Sequence, residues 1–152
     1  MKVGDIAPNF ILKNQDEEDF ELYKNLEKHL LLVFYPKDDT PVCSSQLAEY
    51  NTNLDDFINN GVNVVALSTD SVKSHLDFCG KLKLNFPLLA DEEKKVSRQF
   101  DSINFLGMNK RLLVLIGTDR RILWTESTLP IIYIKTGEIL EKVKSLSIKE
   151  MT

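Results

Sequence analysis

Apolar and polar residues form blocks along the chain, and the period of each block predicts an element. Residues 30–35 are a continuous apolar run, which is typical of a strand buried on both faces. Between residues 47 and 58 apolar side chains recur at steps of three and four, which predicts one face of a helix that ends near Asn59-Asn60-Gly61. The β-branched run 62–67 predicts a second strand, so this region has the pattern strand, helix, strand.

The rest of the chain continues this alternation. Asp70-Ser71 is typical of a helix N-cap, and the helix that follows has an apolar side made of Val72, His75, Leu76, Cys79 and Leu82. The other predicted elements are an N-terminal hairpin (10–12 and 20–23), a short helix (92–100), a second hairpin (111–116 and 121–125), a strand (131–134) and a final helix (137–146).

This order of elements predicts an α/β fold. A central mixed β-sheet is sandwiched by helices, with an N-terminal β-hairpin, parallel strands inside and antiparallel strands toward one edge. No repeat, low-complexity tract or linker divides the sequence, so we expect one domain over residues 1–152.

Composition narrows the classes of function. The chain has 152 residues, is 43% hydrophobic and 28% charged, and carries a formal net charge of −4, without a cationic footprint for nucleic acid or anionic membrane. Its apolar runs are too short to cross a bilayer, and its first residues lack the apolar stretch of a secretory signal. We therefore expect a cytoplasmic protein.

The two cysteines carry the clearest chemical signal. Cys43 follows a predicted strand at the opening of a predicted helix, where unpaired backbone N–H groups favour an ionised thiol. A thiolate is a nucleophile that can be oxidised selectively. Cys79 lies 36 positions later, and in a reducing compartment such a pair is either inert or takes part in redox chemistry.

The segment Pro36-Lys37-Asp38-Asp39-Thr40-Pro41-Val42-Cys43 resembles the peroxiredoxin active-site motif, in which proline, threonine and cysteine keep this spacing. Residues 3–10, 68–75 and 86–91 are similar to other segments of that family, and Arg111 stands where the family keeps its catalytic arginine. The chain is most similar to the bacterioferritin-comigratory-protein, or Q-type, subgroup.

The resemblance implies a thioredoxin-like fold and a thiol peroxidase. Cys43 would be the peroxidatic nucleophile, Thr40 would contact thiolate and peroxide, Pro36 would shield the thiolate from water, and Arg111 would keep it ionised. The weaker competitors for the arginine's role are Lys110, Arg120 and Arg121. Neither a metal nor an organic cofactor is expected, because His29 and His75 lie in separate elements and phosphate-binding glycine patterns are absent.

The sequence departs from the family pattern at three positions. Val42 replaces a common glycine, Gln46 replaces a common glutamate, and Ala48 stands where many Q-type members carry the resolving cysteine. Some members carry this second thiol on the next helix, which Cys79 matches, although its spacing also fits simple packing. Gly80, which follows Cys79, predicts an easily melted helical turn.

The expected substrates are hydrogen peroxide and organic hydroperoxides, and the expected partner is thioredoxin or a similar dithiol, with the protein a monomer or weak dimer. The alternatives are a one-cysteine peroxidase that uses an external thiol, a thioredoxin-like disulfide oxidoreductase, and a binding module or holdase. The oxidoreductase is disfavoured because Ser44-Ser45-Gln46 follows Cys43, whereas that chemistry needs a Cys-x-x-Cys pair. Asp38 and Asp39 are expected to be solvated loop carboxylates.

Overall fold

A mixed β-sheet runs through the middle of the protein. The computed structural model describes the backbone of residues 1–151 and the side chains of residues 1–146. Within this part the sheet has seven strands in the order β2-β1-β5-β4-β3-β6-β7. In chain order, the elements are β1 (Ile11–Lys13), β2 (Asp19–Glu21), a 3-10 helix (Leu22–Asn25), β3 (His29–Phe34), α1 (Pro41–Thr52), α2 (Leu54–Asn59), β4 (Val62–Ser68), α3 (Val72–Leu82), β5 (Leu88–Ala90), α4 (Lys95–Gln99), β6 (Arg111–Ile116), β7 (Ile122–Thr128) and α5 (Thr136–Met151).

The central strand β3 sets the position of the site. It pairs in parallel with β4, where Phe34 is opposite Leu67, and antiparallel with β6, where Phe34 is opposite Leu112. The carboxyl end of β3 therefore lies beside the start of β6. A loop that leaves β3 and a side chain at the first position of β6 meet at this edge.

The two faces of the sheet bury separate apolar clusters. One face is covered by α1, α2, α3 and α5, through residues such as Leu47, Phe57 and Ile139. The other is covered by the N-terminal segment and α4, through residues such as Phe10 and Phe100. Each such side chain contributes about 1.5–3 kcal/mol when fully buried. Both cysteines belong to the first cluster, so they share one side of the sheet.

The sandwich, the N-terminal hairpin and the mixed sheet confirm the predicted α/β class. Two local predictions were wrong, and one strand was missed. The helix predicted up to residue 59 is broken at Asn53 into α1 and α2. Strand β5 was missed because it has only three residues. Residues 131–134 form no strand: Ile131 and Ile132 are exposed, and the Ile134 carbonyl accepts from the Tyr50 hydroxyl instead of a neighbouring strand.

Two helices also differ in detail from the prediction. On α3, Leu76 is half exposed, while the buried face is formed by His75, Phe78 and Cys79. Helix α4 begins only at Lys95, because Lys94 adopts a left-handed conformation. In the part of the chain that the structure describes, no helix is long and apolar enough to span a membrane.

Candidate active site

Cys43 is the third residue of α1, directly after the loop that leaves β3. Thr40 is the N-cap residue, and Pro41 occupies the first turn, where a missing N–H costs nothing. The first amides of a helix have no partner within it, so their partial positive charge surrounds the Cys43 thiol. The side chain is 1% exposed, which places the thiol inside the protein.

Arg111 lies across from Cys43 at the first position of β6. Its Nη1 donates to Cys43 Sγ at 3.3 Å, and the guanidinium is almost fully buried. The sheet register explains this meeting, because β6 starts beside the end of β3 and Cys43 follows that end by nine residues. Residues 68 positions apart are thus brought into contact.

Other bonds fix the guanidinium in place. Arg111 Nη1 also donates to Gln46 Oε1 at 2.8 Å, and its Nε and Nη2 both donate to the Pro130 carbonyl, at 3.1 and 2.9 Å. Gln46 in turn donates to the Tyr50 hydroxyl at 3.2 Å, which donates to the Ile134 carbonyl. Burial raises the pKa of Tyr50 well above its usual value, so this hydroxyl remains a neutral donor.

The buried charge of Arg111 lacks an acidic counterpart. Among the described side chains, no carboxylate forms an ion pair with it, and its other partners are an amide and a carbonyl oxygen. A buried cation is costly unless an opposite charge lies near it. The Cys43 sulfur is the one of its hydrogen-bonding partners that can carry a negative charge. Gln46, which also accepts from Arg111, is a neutral amide and supplies no charge.

The structure also places the two loop residues of the motif. Pro36 is half-buried directly after β3, and Thr40 lies at the helix opening. The Thr40 hydroxyl donates to the Lys37 carbonyl at 3.0 Å, and its side chain does not cap α1. In this conformation the hydroxyl closes the loop turn, and its oxygen lone pairs are available as acceptors.

Cys79 is on the same side of the sheet but is not bonded to Cys43, since both thiols are free. It is the eighth residue of α3, and its Sγ makes a weak bond to the Leu84 carbonyl at 3.6 Å. Burial, with a smaller contribution from the charge of Asp16, raises the pKa of the Cys79 thiol.

The geometry of the helices keeps the thiols apart. Helices α1 and α3 follow parallel strands and run in the same direction, so Cys79 lies about five residues, or roughly 7 Å, further along than Cys43. For ideal helices packed at about 8–10 Å lateral distance, this offset corresponds to a Cα separation of roughly 10 Å or more, whereas a disulfide needs less than about 7 Å.

The competing basic residues are placed elsewhere. Lys110 is exposed. The Arg120 guanidinium lies over the Tyr23 ring at 4.0 Å, and Arg121 donates to the Gly4 carbonyl at 2.9 Å. Of these four cations, Arg111 is the one that the structure brings to Cys43.

One of the two loop carboxylates was assigned wrongly from the sequence, and the other correctly. Asp38 was expected to be solvated, but it is 6% exposed and accepts hydrogen bonds from Tyr35 and Ser74 while contacting His75. Asp39, in contrast, is exposed and pairs with Lys81 at 2.6 Å. The hint in the sequence was weak: His75 falls on the apolar side of a helix, where a polar ring needs a buried partner.

Comparison with known proteins identifies the family of the chain. The profile of the AhpC/TSA family matches residues 3–125. "Peroxiredoxin Bcp" of Escherichia coli K12 is 37% identical over 129 residues, which cover 80% of this chain and 83% of that protein. "Putative peroxiredoxin bcp" of Helicobacter pylori J99 is 38% identical over 100 residues, which span 66% of each chain.

A solved structure of a similar protein has the same fold. A cysteine-to-serine mutant of Xylella fastidiosa PrxQ superimposes with a TM-score of 0.87 and 30% identity, covering 97% of this chain and 98% of that one. A sheet sandwiched by helices, with a cysteine at a helix opening beside a buried arginine, defines a thiol-based oxidoreductase. The chain belongs to the AhpC/TSA family and is a peroxiredoxin.

Proposed function

We propose that the protein is a thiol-dependent peroxidase in which Cys43 reduces hydrogen peroxide and organic hydroperoxides. The Cys43 thiolate attacks the terminal peroxide oxygen, the O–O bond breaks, and the leaving oxygen takes a proton to depart as water or an alcohol. Cys43 is oxidised to a sulfenic acid, and the peroxide is reduced by two electrons. The supporting observation is the 3.3 Å contact between a buried Arg111 and Cys43 Sγ.

Arg111 serves two steps of this reaction. Before attack it stabilises the thiolate, and during attack its fixed donors face the region where negative charge moves onto the leaving oxygen. The lone pairs of the Thr40 hydroxyl would accept a hydrogen bond from the bound peroxide. After rotation, the hydroxyl would donate one to it. Pro36 would exclude water from the loop side.

Cys79 is proposed as the resolving thiol. Its thiolate would attack the Cys43 sulfenic acid and form an S–S bond as the S–O bond breaks, and the leaving oxygen would take a proton from solvent to depart as water. Because the helices hold the two Cα atoms too far apart, this step requires local unwinding. A thioredoxin or similar dithiol would then reduce the disulfide by exchange.

The proposed setting follows from this cycle. A reducing compartment such as the cytoplasm keeps the thiols available. We expect residues 1–152 to act as one domain, and the protein to be a monomer or weak dimer, which size-exclusion chromatography with light scattering can measure.

A one-cysteine peroxidase is the second candidate, and one observation favours it. Cys79 is buried and forms no disulfide with Cys43 in this conformation, so an external thiol would reduce the sulfenic acid first. The two cycles differ in the mass of the protein after one equivalent of peroxide. A loss of two hydrogens supports the 43–79 disulfide, and a gain of one oxygen supports the external thiol. An unchanged mass at Cys43 would contradict both.

A further inference from the structure

A buried polar cluster lies behind the loop that carries the active-site motif. It consists of Tyr35, Asp38, Ser74 and His75, together with Asp70. Asp38 belongs to the loop. Its partners are Tyr35 directly after β3, Asp70 in the turn before α3, and Ser74 and His75 in the first turn of α3. One carboxylate therefore ties the Cys43 loop to the helix that carries Cys79.

Both carboxylate oxygens and the backbone N–H of Asp38 are engaged in this cluster. Its Oδ1 accepts from the Tyr35 hydroxyl, and its Oδ2 accepts from the Ser74 hydroxyl at 2.8 Å and contacts His75 Nδ1 at 2.7 Å. Its backbone N–H donates to Asp70 Oδ2 at 2.7 Å. Burial and the nearby Asp38 charge raise the pKa of Tyr35, so its hydroxyl remains a donor.

The imidazole of His75 extends the cluster to the sheet. Its Nε2 is 2.9 Å from the Leu89 carbonyl, and because a carbonyl oxygen only accepts, Nε2 carries a hydrogen. A second hydrogen then lies between Nδ1 and the Asp38 carboxyl group and forms the hydrogen bond that joins them. With the ring fully buried and both nitrogens bonded, His75 fixes the carboxylate against β5.

The loop needs such support. Asp39 has φ 56°, a left-handed conformation that non-glycine residues adopt only when the surroundings enforce it. The Thr40 hydroxyl and the first turn of α1 follow directly. If the Asp38 anchor were lost, Asp39 could relax to an ordinary conformation and Thr40 would move relative to Cys43.

The same bonds divide α3 into two unequal parts. Its first turn is capped by Ser71, which accepts from the Ser74 amide, and is tied through Ser74 and His75 to Asp38. Beyond this turn, the described residues of α3 are linked to the loop by one ion pair, Lys81–Asp39. This pair is exposed and contributes little to stability.

We propose that Asp38 and His75 are positioning residues of the peroxidase reaction, which hold the Cys43 loop in its reactive conformation and keep the first turn of α3 folded while Cys79 moves. This inference rests on the proposed function of Cys43 and Cys79. Neither residue contacts the reacting sulfur; both act through the loop and the helix.

The reach of the chain is compatible with this arrangement. Cys79 is four residues beyond His75, a span of about 6 Å in a helix and up to about 14 Å when extended. Unwinding after His75 therefore adds roughly 8 Å of reach without releasing the anchored turn. The anchor also keeps the released segment near Cys43.

The first test compares single-turnover oxidation of Cys43 in four variants, followed by quenched mass spectrometry. Asp38→Ala should slow this step at least tenfold. Asp38→Asn should stay within threefold of the wild type, because the new amide can accept from Tyr35 and donate to His75 Nδ1. Lys81→Ala, which cuts the exposed link between the same two elements, should leave the rate unchanged. Ser74→Ala, which removes one hydrogen-bond donor to Asp38, should slow Cys43 oxidation about threefold. It replaces Asp38→Ala in the test if that variant does not fold.

A second readout separates positioning from loss of stability. Alkylation of Cys43 by iodoacetamide needs the thiolate but not the Thr40 hydroxyl, so it should change less than threefold in Asp38→Ala and Ser74→Ala. Wild-type oxidation rates in these two variants would overturn the proposal, as would an Asp38→Asn variant as slow as Asp38→Ala. If wild-type Cys43 itself does not react with peroxide, the proposed function has failed instead.

The helix part is tested by amide hydrogen exchange on the full-length protein in its reduced and disulfide forms. The amides of Ser74 and His75, which bond to Ser71, should keep their protection in the disulfide form, whereas residues 79–82 should lose at least tenfold. Equal loss along α3 would overturn the anchored turn. Absence of a 43–79 disulfide would contradict the role of Cys79. The oxidation rates of the Asp38 and Ser74 variants would still test the role of Asp38 in positioning the loop.

Discussion

The surroundings of Cys43 and Cys79 differ in how firmly each thiol is held. Cys43 lies at a helix opening against a guanidinium that is fixed by three further hydrogen bonds. Cys79 lies late in α3, where its sulfur makes one weak bond and the next residue is Gly80. The site is rigid around the first thiol and weakly held around the second.

This difference matches the two chemical steps of the proposed cycle. Peroxide attack needs donors already aimed at the developing charge, because movement at that stage would weaken them. Disulfide formation needs a thiol that can leave its place, because the folded helices keep the two Cα atoms further apart than a disulfide allows. The following predictions test whether each region serves its own step.

The largest effect is expected from Cys43→Ser, which should abolish peroxide consumption. A serine hydroxyl does not ionise near neutral pH and cannot form a sulfenic acid. Cys79→Ser is the matched control and should still oxidise Cys43 at the wild-type rate in a single turnover. Retention of a tenth of the activity by Cys43→Ser would move the nucleophile to Cys79.

Arg111→Lys should slow Cys43 oxidation by about tenfold or more while the protein stays folded. Lysine keeps the charge but loses the planar fork that bonds Cys43, Gln46 and Pro130 together, and loss of one aimed donor typically costs on the order of a hundredfold. Stopped-flow fluorescence of Trp124, which shares the apolar cluster with both cysteines, can follow the step.

Arg121→Lys provides the control for this change. It makes the same chemical replacement at a residue whose guanidinium bonds to the Gly4 carbonyl, away from Cys43. Its oxidation rate should equal that of the wild type. Equal rates for Arg111→Lys and Arg121→Lys would contradict the role of Arg111.

The disulfide step should depend on pH more strongly than the oxidation step. Attack on the sulfenic acid needs the Cys79 thiolate, and burial raises the pKa of this thiol, so the neutral form dominates at neutral pH. Raising the pH should therefore accelerate the step by about tenfold per pH unit, up to the pKa that the Cys79 thiol has once unwinding removes it from its buried site. Quenched mass spectrometry between pH 7 and 9 measures it, and a flat profile would show that Cys79 ionisation does not limit the step.

The main chemistry could be predicted from the sequence because it depends on local patterns. An apolar run, a short loop and a helical period place Cys43 at a strand-to-helix turn. The spacing of Pro36, Thr40 and Cys43 then indicates the family, and with it Arg111. The contact of Arg111 with the thiol needs the sheet register, which joins residues 68 positions apart.

The missed features depend on contacts that have no local pattern. Asp38 and Asp39 are adjacent and chemically alike, yet one is buried and the other is exposed, because Asp38 bonds to two residues of α3 that lie more than 30 positions away. Residues 131–134 have the composition of a strand, but carbonyls in this segment and just before it bond to Tyr50 and Arg111. Tertiary partners decided both cases.

The smallest expected effect tests the weakly held region directly through Gly80. A Cβ added at this position meets no atom within 4 Å, so Gly80→Ala introduces no clash and changes mainly the helical preference of the turn. Alanine favours the helix by about 1 kcal/mol over glycine, which makes opening roughly fivefold rarer. Disulfide formation should slow several-fold, the first oxidation should be unaffected, and more Cys43 sulfinic acid should accumulate at high peroxide because the sulfenic acid persists longer.

Gly137→Ala is the matched control for this last prediction. Gly137 is the second residue of α5, and an added Cβ there also has no neighbour within 4 Å, so the same replacement is made without a clash in a helix that carries no thiol. It should leave both steps unchanged. If Gly80→Ala forms the disulfide as fast as the wild type, opening of α3 does not limit resolution, and the looser hold on Cys79 has no kinetic consequence. If both variants slow it equally, the effect comes from overall stability and not from the turn beside Cys79.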